Sequence, residues 1–132
     1  VNVKLAPYNA KGDGLTDDTK AIQDALDQNP NGIVFLPKGY YRVSKTLKMA
    51  PGQSLVGIAR HLTFIAPVTD GLGGNPVVET SDSHNIIAFL SVKAYWHLKT
   101  DYAIRWLAKS DQAIYRQVHT DRAKECWELV YL

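Results

Sequence analysis

The residues with most chemical potential stand together in "KGDGLTDDTKAIQDAL", positions 11–26. Two glycines flank Asp13, and Asp17 and Asp18 follow just before an apolar pattern. A Gly-x-Gly between a strand and a helix could cradle a phosphate on its backbone amides. Here the pattern is G-x-G-x-x-D, with Asp17 in the place of a third glycine. Asp13, Asp17 and Asp18 would set three negative charges where a pyrophosphate must lie, and their repulsion opposes binding. No P-loop lysine follows. A calcium loop is the next chemistry to test, but the order D-x-[DN]-x-[DN]-G with a closing Glu is absent. The remaining reading is architectural: glycines for a tight turn with positive φ, acids to start and charge a helix.

Other reactive types are sparse. Cys126 is the single cysteine, so an internal disulfide and a thiolate-built zinc site are both excluded. Glu125 and Glu128 beside it disfavour a thiolate, which suits a buried apolar residue better than a nucleophile. His61, His84, His97 and His119 lack metal-ligand spacing, so neither a metal nor a cofactor is expected. Asp82-Ser83-His84 invites a triad, yet sequence neighbours rarely face one another and no G-x-S-x-G elbow exists. The net charge of +2 is carried by scattered Lys and Arg, which excludes a nucleic-acid face. No apolar run approaches the roughly 20 residues of a membrane span.

The elements that must position these groups follow from periodicity. "VNVKL" (1–5) alternates like a short strand, and "APYNAKGDG" is turn material. Ala21, Ile22, Ala25 and Leu26 mark one helix face, with Thr16 or Asp17 as N-cap and "NPNG" (29–32) as the stop. Short β-rich runs then succeed one another: "IVFL", "YYRV", "SLVGI", "LTFIA", "VVET", "NIIAFLSV", "YAIRWL", "AIYRQVH" and "CWELVYL". Pairs such as Ile33 and Leu55, Thr63 and Ile86, Val92 and Ile114, or Ile104 and Trp127 stand about 22 to 23 residues apart, a period that belongs to solenoids. A β-sandwich gives tighter spacing, and a stacked array needs a cap on its first coil. The chain is therefore predicted to be mainly β, with residues 1–32 as strand and capping helix and residues 33–132 as coils of the same domain. The apolar ending "CWELVYL" predicts a piece of something longer. An array cut there leaves a coil uncovered, to pair with the remainder of its own helix or with another copy.

The opening residues also carry a resemblance. Tyr8, Ala10, Gly12, Asp13, Gly14, Thr16, Asp17, Asp18 and Thr19, then Gly32, Val34, Phe35, Pro37, Gly39 and Tyr41, resemble the N-terminal segment of the pectate-lyase-like superfamily. Asn9 departs from that pattern's glycine, a mild change because Asn tolerates left-handed φ. The match spans about the first 60 residues. Beyond "HLTFIAPVTDG" the chain is similar, more weakly, to polygalacturonases and β-1,3-glucanases. The resemblance implies a right-handed parallel β-helix with an N-terminal helix cap. It also implies a secreted or cell-surface parent that hydrolyses or lyses a polysaccharide, or a non-catalytic tailspike or adhesin module that binds glycan.

Glycoside hydrolysis needs two carboxyl groups about 5 to 9.5 Å apart. Glu79, Asp82, Asp101 and Asp121 read as separate surface carboxylates, so the catalytic residues are expected downstream of Leu132. Aromatic faces could hold sugars. Among Tyr95, Trp96, Tyr102, Trp106, Tyr115 and Trp127, most suit the core, and Tyr95 with Trp96 form the expected exposed, substrate-binding pair. The expected partner is a polysaccharide, with no nucleic acid and no membrane insertion.

Overall fold

The computed structural model describes residues 1–68, 72–81, 84–94 and 103–106 in full, and 114–120 in their backbone. Strand β1 (Asp13–Asp17) leads into helix α1 (Thr19–Gln28). Then come β2 (Ile33–Phe35), β3 (Gly39–Val43), β4 (Leu47–Lys48), β5 (Ser54–Val56) and β6 (Thr63–Pro67). They are followed by β7 (Val78–Glu79), β8 (Ile86–Val92), β9 (Ile104–Arg105) and β10 (Ile114–Thr120).

Every pairing between these strands is parallel, and the pairings fall into three columns. In the first, β2 pairs β5, and β5 pairs the front half of β8. In the second, β1 pairs β3, β3 pairs β6, and β6 pairs the back half of β8. The third runs β4, β7, β9. Strand β10 continues along β8. Successive turns of chain thus stack on one another, and the fold is a parallel β-helix.

Each column sends one largely apolar ladder inward, because alternate strand residues face opposite sides. The ladders are Val34–Leu55–Ile87, Tyr41–Ile65–Val92 and Leu47–Val78–Ile104, all with no exposed surface. Full burial of a Val, Leu or Ile side chain contributes roughly 1.5–3 kcal/mol, so this shared core dominates stability. The start of the stack is closed by the opening segment. Asn2 bridges to Phe35, β1 lies on β3, and α1 sets Ile22, Ala25 and Leu26 against β2 and β4.

Buried amides secure one corner. The Gln53 side chain donates to Asn29 O at 2.9 Å and to Leu26 O, and accepts from Ala50 N at 2.7 Å. One turn later the Asn85 amide donates to Ala50 O and Gln53 O at 2.7 and 3.2 Å, and accepts from Ser81. These bonds satisfy backbone groups that the corner would otherwise leave buried and unpaired.

Several sequence expectations change in detail. "VNVKL" gives only the bridge at Asn2, and Leu5 is exposed, because the chain turns at once with Leu5 N donating to Asn2 O. The helix begins after Asp18 rather than after Thr16 or Asp17, since 13–17 are drawn into strand pairing with β3. The repeat is not a uniform 22 to 23. Val34 to Leu55 is 21 residues, Leu55 to Ile87 is 32, and Tyr41 to Ile65 is 24. Thr63 does not pair with Ile86; Phe64 pairs with Ser91 and Ser54 with Ile86. Corner loops of different length absorb the differences while the rungs stay in register.

Candidate functional site

The opening loop is built as a brace. The Asp18 carboxylate accepts from Lys11 N and Gly12 N, each at 2.8 Å. Gly12 sits at φ +61, with the Tyr41 ring 3.0 Å from where a Cβ would be. Asp13 accepts from Leu15 N and Thr16 N at 2.9 and 2.7 Å and from the Thr16 hydroxyl at 2.8 Å. These bonds, the Thr16 and Leu15 amides foremost, hold the Asp13 carboxyl down at about 2. Burial pushes the Asp17 carboxyl up, but hydrogen bonds from Ser44 and Thr19 outweigh it and leave the group below its usual range. Burial, and then the charge of Asp18, push the Tyr41 phenol up; its hydroxyl donates to Pro37 O at 2.7 Å. A concavity of about 330 Å³ beside this loop is lined by Asp17, Asp18 and Asp24 among others. Its carboxylates are committed to amides, hydroxyls and Lys20.

A different surface gathers cations around an aromatic platform. On the outward side of the second column, Tyr40, Phe64 and Ser91 lie in register, one turn above another. The Tyr40 and Phe64 rings stack with centroids 5.5 Å apart and planes at 27°. Lys93 Nζ stands 5.4 Å from the Phe64 ring centre, within cation–π range. The corner between β5 and β6 supplies Arg60 and His61. That corner is fixed by Leu62 N and Thr63 N donating to Ala59 O at 3.0 Å, by Ile58 N on Thr63 Oγ1, and by Ser91 Oγ on Arg60 O. Arg60, His61, Phe64, Ser91 and Lys93 line an open groove of about 400 Å³. An aromatic face can receive the C–H face of a sugar, and guanidinium and ammonium groups can bind a carboxylate.

The expected pair Tyr95 and Trp96 lies outside the described residues, as do Asp82, Ser83, His97, Asp101, Asp121 and Cys126. Lys93, which lines the groove, stands two positions before Tyr95 in the sequence. Trp106 is half-buried against the core. His84 is exposed at φ +55. Glu79 is not a free surface carboxylate: it is partly buried and pairs with Arg105 at 3.4 Å. Among the described residues, no three His, Cys, Asp or Glu gather as a metal site.

The groove escaped sequence reasoning because Arg60 and His61 look like ordinary surface residues. One signal was present. Tyr40 and Phe64 are both outward neighbours of inward residues on strands one turn apart.

Comparison with known proteins agrees with this architecture. The profile of the family described as "Rhamnogalacturonase A/epimerase, pectate lyase-like" matches residues 1–104. A glucan 1,3-beta-glucosidase of Cochliobolus carbonum is 39% identical over 70 residues, 52% of this chain and 9% of that protein. Alginate lyase 7 of Azotobacter vinelandii is 56% identical over 46 residues, 33% of this chain and 5% of that protein. The A-module of the Azotobacter vinelandii mannuronan C-5 epimerase AlgE6 superposes with a TM-score of 0.70 at 24% identity, over 90% of this chain and 37% of that one. The chain thus spans less than a tenth of these two curated relatives. With more than half of its length matched, the chain belongs to the rhamnogalacturonase A/epimerase, pectate lyase-like family.

Proposed function

We propose that the chain is the capped N-terminal part of a secreted or cell-surface carbohydrate-active β-helix protein, and that its groove binds an acidic polysaccharide. In this reading residues 1–32 form the cap and residues 33–132 the first coils. The observation that carries the reading is the grouping of Arg60, His61 and Lys93 around the Phe64 ring. A uronate chain offers carboxylates to Arg60 and Lys93 as well as sugar faces to the ring. Tyr95 and Trp96, close after Lys93 in sequence, are proposed as further sugar-binding residues.

The parent protein acts on the polysaccharide as a hydrolase or lyase, with its reactive carboxylates beyond this chain. A non-catalytic glycan-binding module is the second reading. It is favoured by the engagement of every described carboxylate, from Asp13 to Glu79, by amides, hydroxyls or cations. The test is binding of the chain to polygalacturonate and alginate against the neutral glucan laminarin, at rising salt. Retention on the acidic polymers that weakens with salt supports the proposal. Equal retention on laminarin overturns it. Reducing-sugar release by these 132 residues would place the chemistry inside the chain and contradict the assignment of scaffold and groove wall.

A further inference from the structure

Phe64 presents two ring faces, and the stack of turns decides what reaches each. Strands β3 and β8 flank β6 on opposite sides, so residues of the turn before and the turn after approach the ring from opposite directions. Tyr40, from β3, covers the first face: the two rings stack with centroids 5.5 Å apart and planes at 27°. On the other side the register partner of Phe64 is Ser91, a small buried residue whose hydroxyl donates to Arg60 O. Its side chain is too small to cover the second face. Lys93 reaches that face instead. Its amide donates to Ile65 O at 2.8 Å, which fixes the residue beside β6, and its Nζ stands 5.4 Å from the Phe64 ring centre. The face left for a sugar is therefore the face that the ammonium occupies.

We propose that Lys93 determines the specificity of the groove: it covers the open face of Phe64 in the free protein and yields that face to a sugar whose carboxylate takes up its ammonium. The inference rests on the reading of the groove as a site for acidic polysaccharide, and it adds how the groove selects. A ring–ammonium contact at an exposed site is weaker than a charge-assisted hydrogen bond to a carboxylate. A uronate thus replaces the contact it breaks with a stronger one. A neutral sugar breaks the same contact and offers the ammonium only hydroxyls, which it binds less strongly. Lys93 therefore acts in two directions from one position, attracting the charged sugar and shielding the ring from the neutral one.

The test reads the ring contact and the selectivity separately, by NMR titration of the chain with trigalacturonate and with laminaritriose. In the free protein the Lys93 ε-methylene resonances are expected upfield of the ordinary lysine position, shielded by the ring, and Phe64→Ala should return them to it. Trigalacturonate should also return them, as the ammonium leaves the ring for the carboxylate. In K93A the affinity for trigalacturonate is expected to fall about tenfold. The affinity for laminaritriose is expected to rise roughly two- to fivefold, the weight of an exposed ring–ammonium contact. Far-UV circular dichroism checks folding, and if K93A is unfolded the same comparison is made with K93Q. A folded variant that loses trigalacturonate while binding laminaritriose no better overturns the proposal and leaves the acidic-polysaccharide reading standing. So do ε-methylene resonances that stay upfield in the trigalacturonate complex. A wild-type chain that does not bind trigalacturonate overturns that reading, and this inference with it.

Discussion

Gly57→Ala probes the packing of the stack at its tightest point. Gly57 follows β5 and donates its amide to Ala88 O at 3.0 Å. A Cβ there would lie 2.4 Å from Phe89 O, 2.8 Å from Thr63 Cβ and 2.9 Å from Leu90 Cβ. Carbon–oxygen contacts settle near 3.3 Å or beyond, so β8 must retreat by roughly 0.9 Å. The obstacle is backbone, and Phe89 is already at φ +58, so no side-chain rotation relieves it. Overpacking of this kind costs about 1–3 kcal/mol. A weakened Gly57–Ala88 hydrogen bond adds about 1 kcal/mol. The reduced freedom of the unfolded chain returns about 0.4–1 kcal/mol. The net loss is about 1–3.6 kcal/mol, which lowers the melting temperature by roughly 4–13 °C for a chain of this size. Ser54→Ala, on the outward side of the same strand, is the control. Thermal denaturation followed by circular dichroism reads both. A Gly57→Ala midpoint within about 2 °C of wild type would refute the close approach of the two turns.

Other consequences follow from the same geometry. Asn85→Ala leaves Ala50 O and Ser81 N short of a buried partner, and urea unfolding should register a loss of about 2–4 kcal/mol. Ile65→Ala, in the middle of its ladder and fully buried, should cost about 3 kcal/mol by the same measurement. The Asp13 carboxyl, lowered from 3.8 to about 2 on folding, stabilises the fold fully above its unfolded value. That stabilisation should fade as pH falls from about 4 through 2, while D13N shows no such component in an acid-unfolding series.

Much of the fold was legible because the inward ladders are strongly apolar and flanked by Gly, Pro and Asn. The helix face of Ile22, Ala25 and Leu26 and the runs that became β2, β3, β5, β6 and β8 follow periodicity alone. Strand β1 was hidden because Asp13 and Gly14 argue for a turn, and only pairing of Asp13 and Asp17 with β3, on either side of an irregularity, draws the segment into the sheet. Strands β7 and β9 lie within the runs "VVET" and "YAIRWL", whereas the two-residue strand β4 is too short to show a period, and its register comes from the stack. The groove depends on residues from separate turns meeting on one outer face. Arg60 is tied to Ser91 across 31 positions, a juxtaposition that local pattern does not encode.

The most direct test of the proposed groove is chemical-shift mapping of the chain with a trigalacturonate ligand. The account predicts perturbations centred on Arg60, His61, Phe64, Ser91 and Lys93, with the amides of α1 and of Asp13–Asp17 unmoved. Perturbations confined to the opening loop, or none at millimolar ligand, would contradict it.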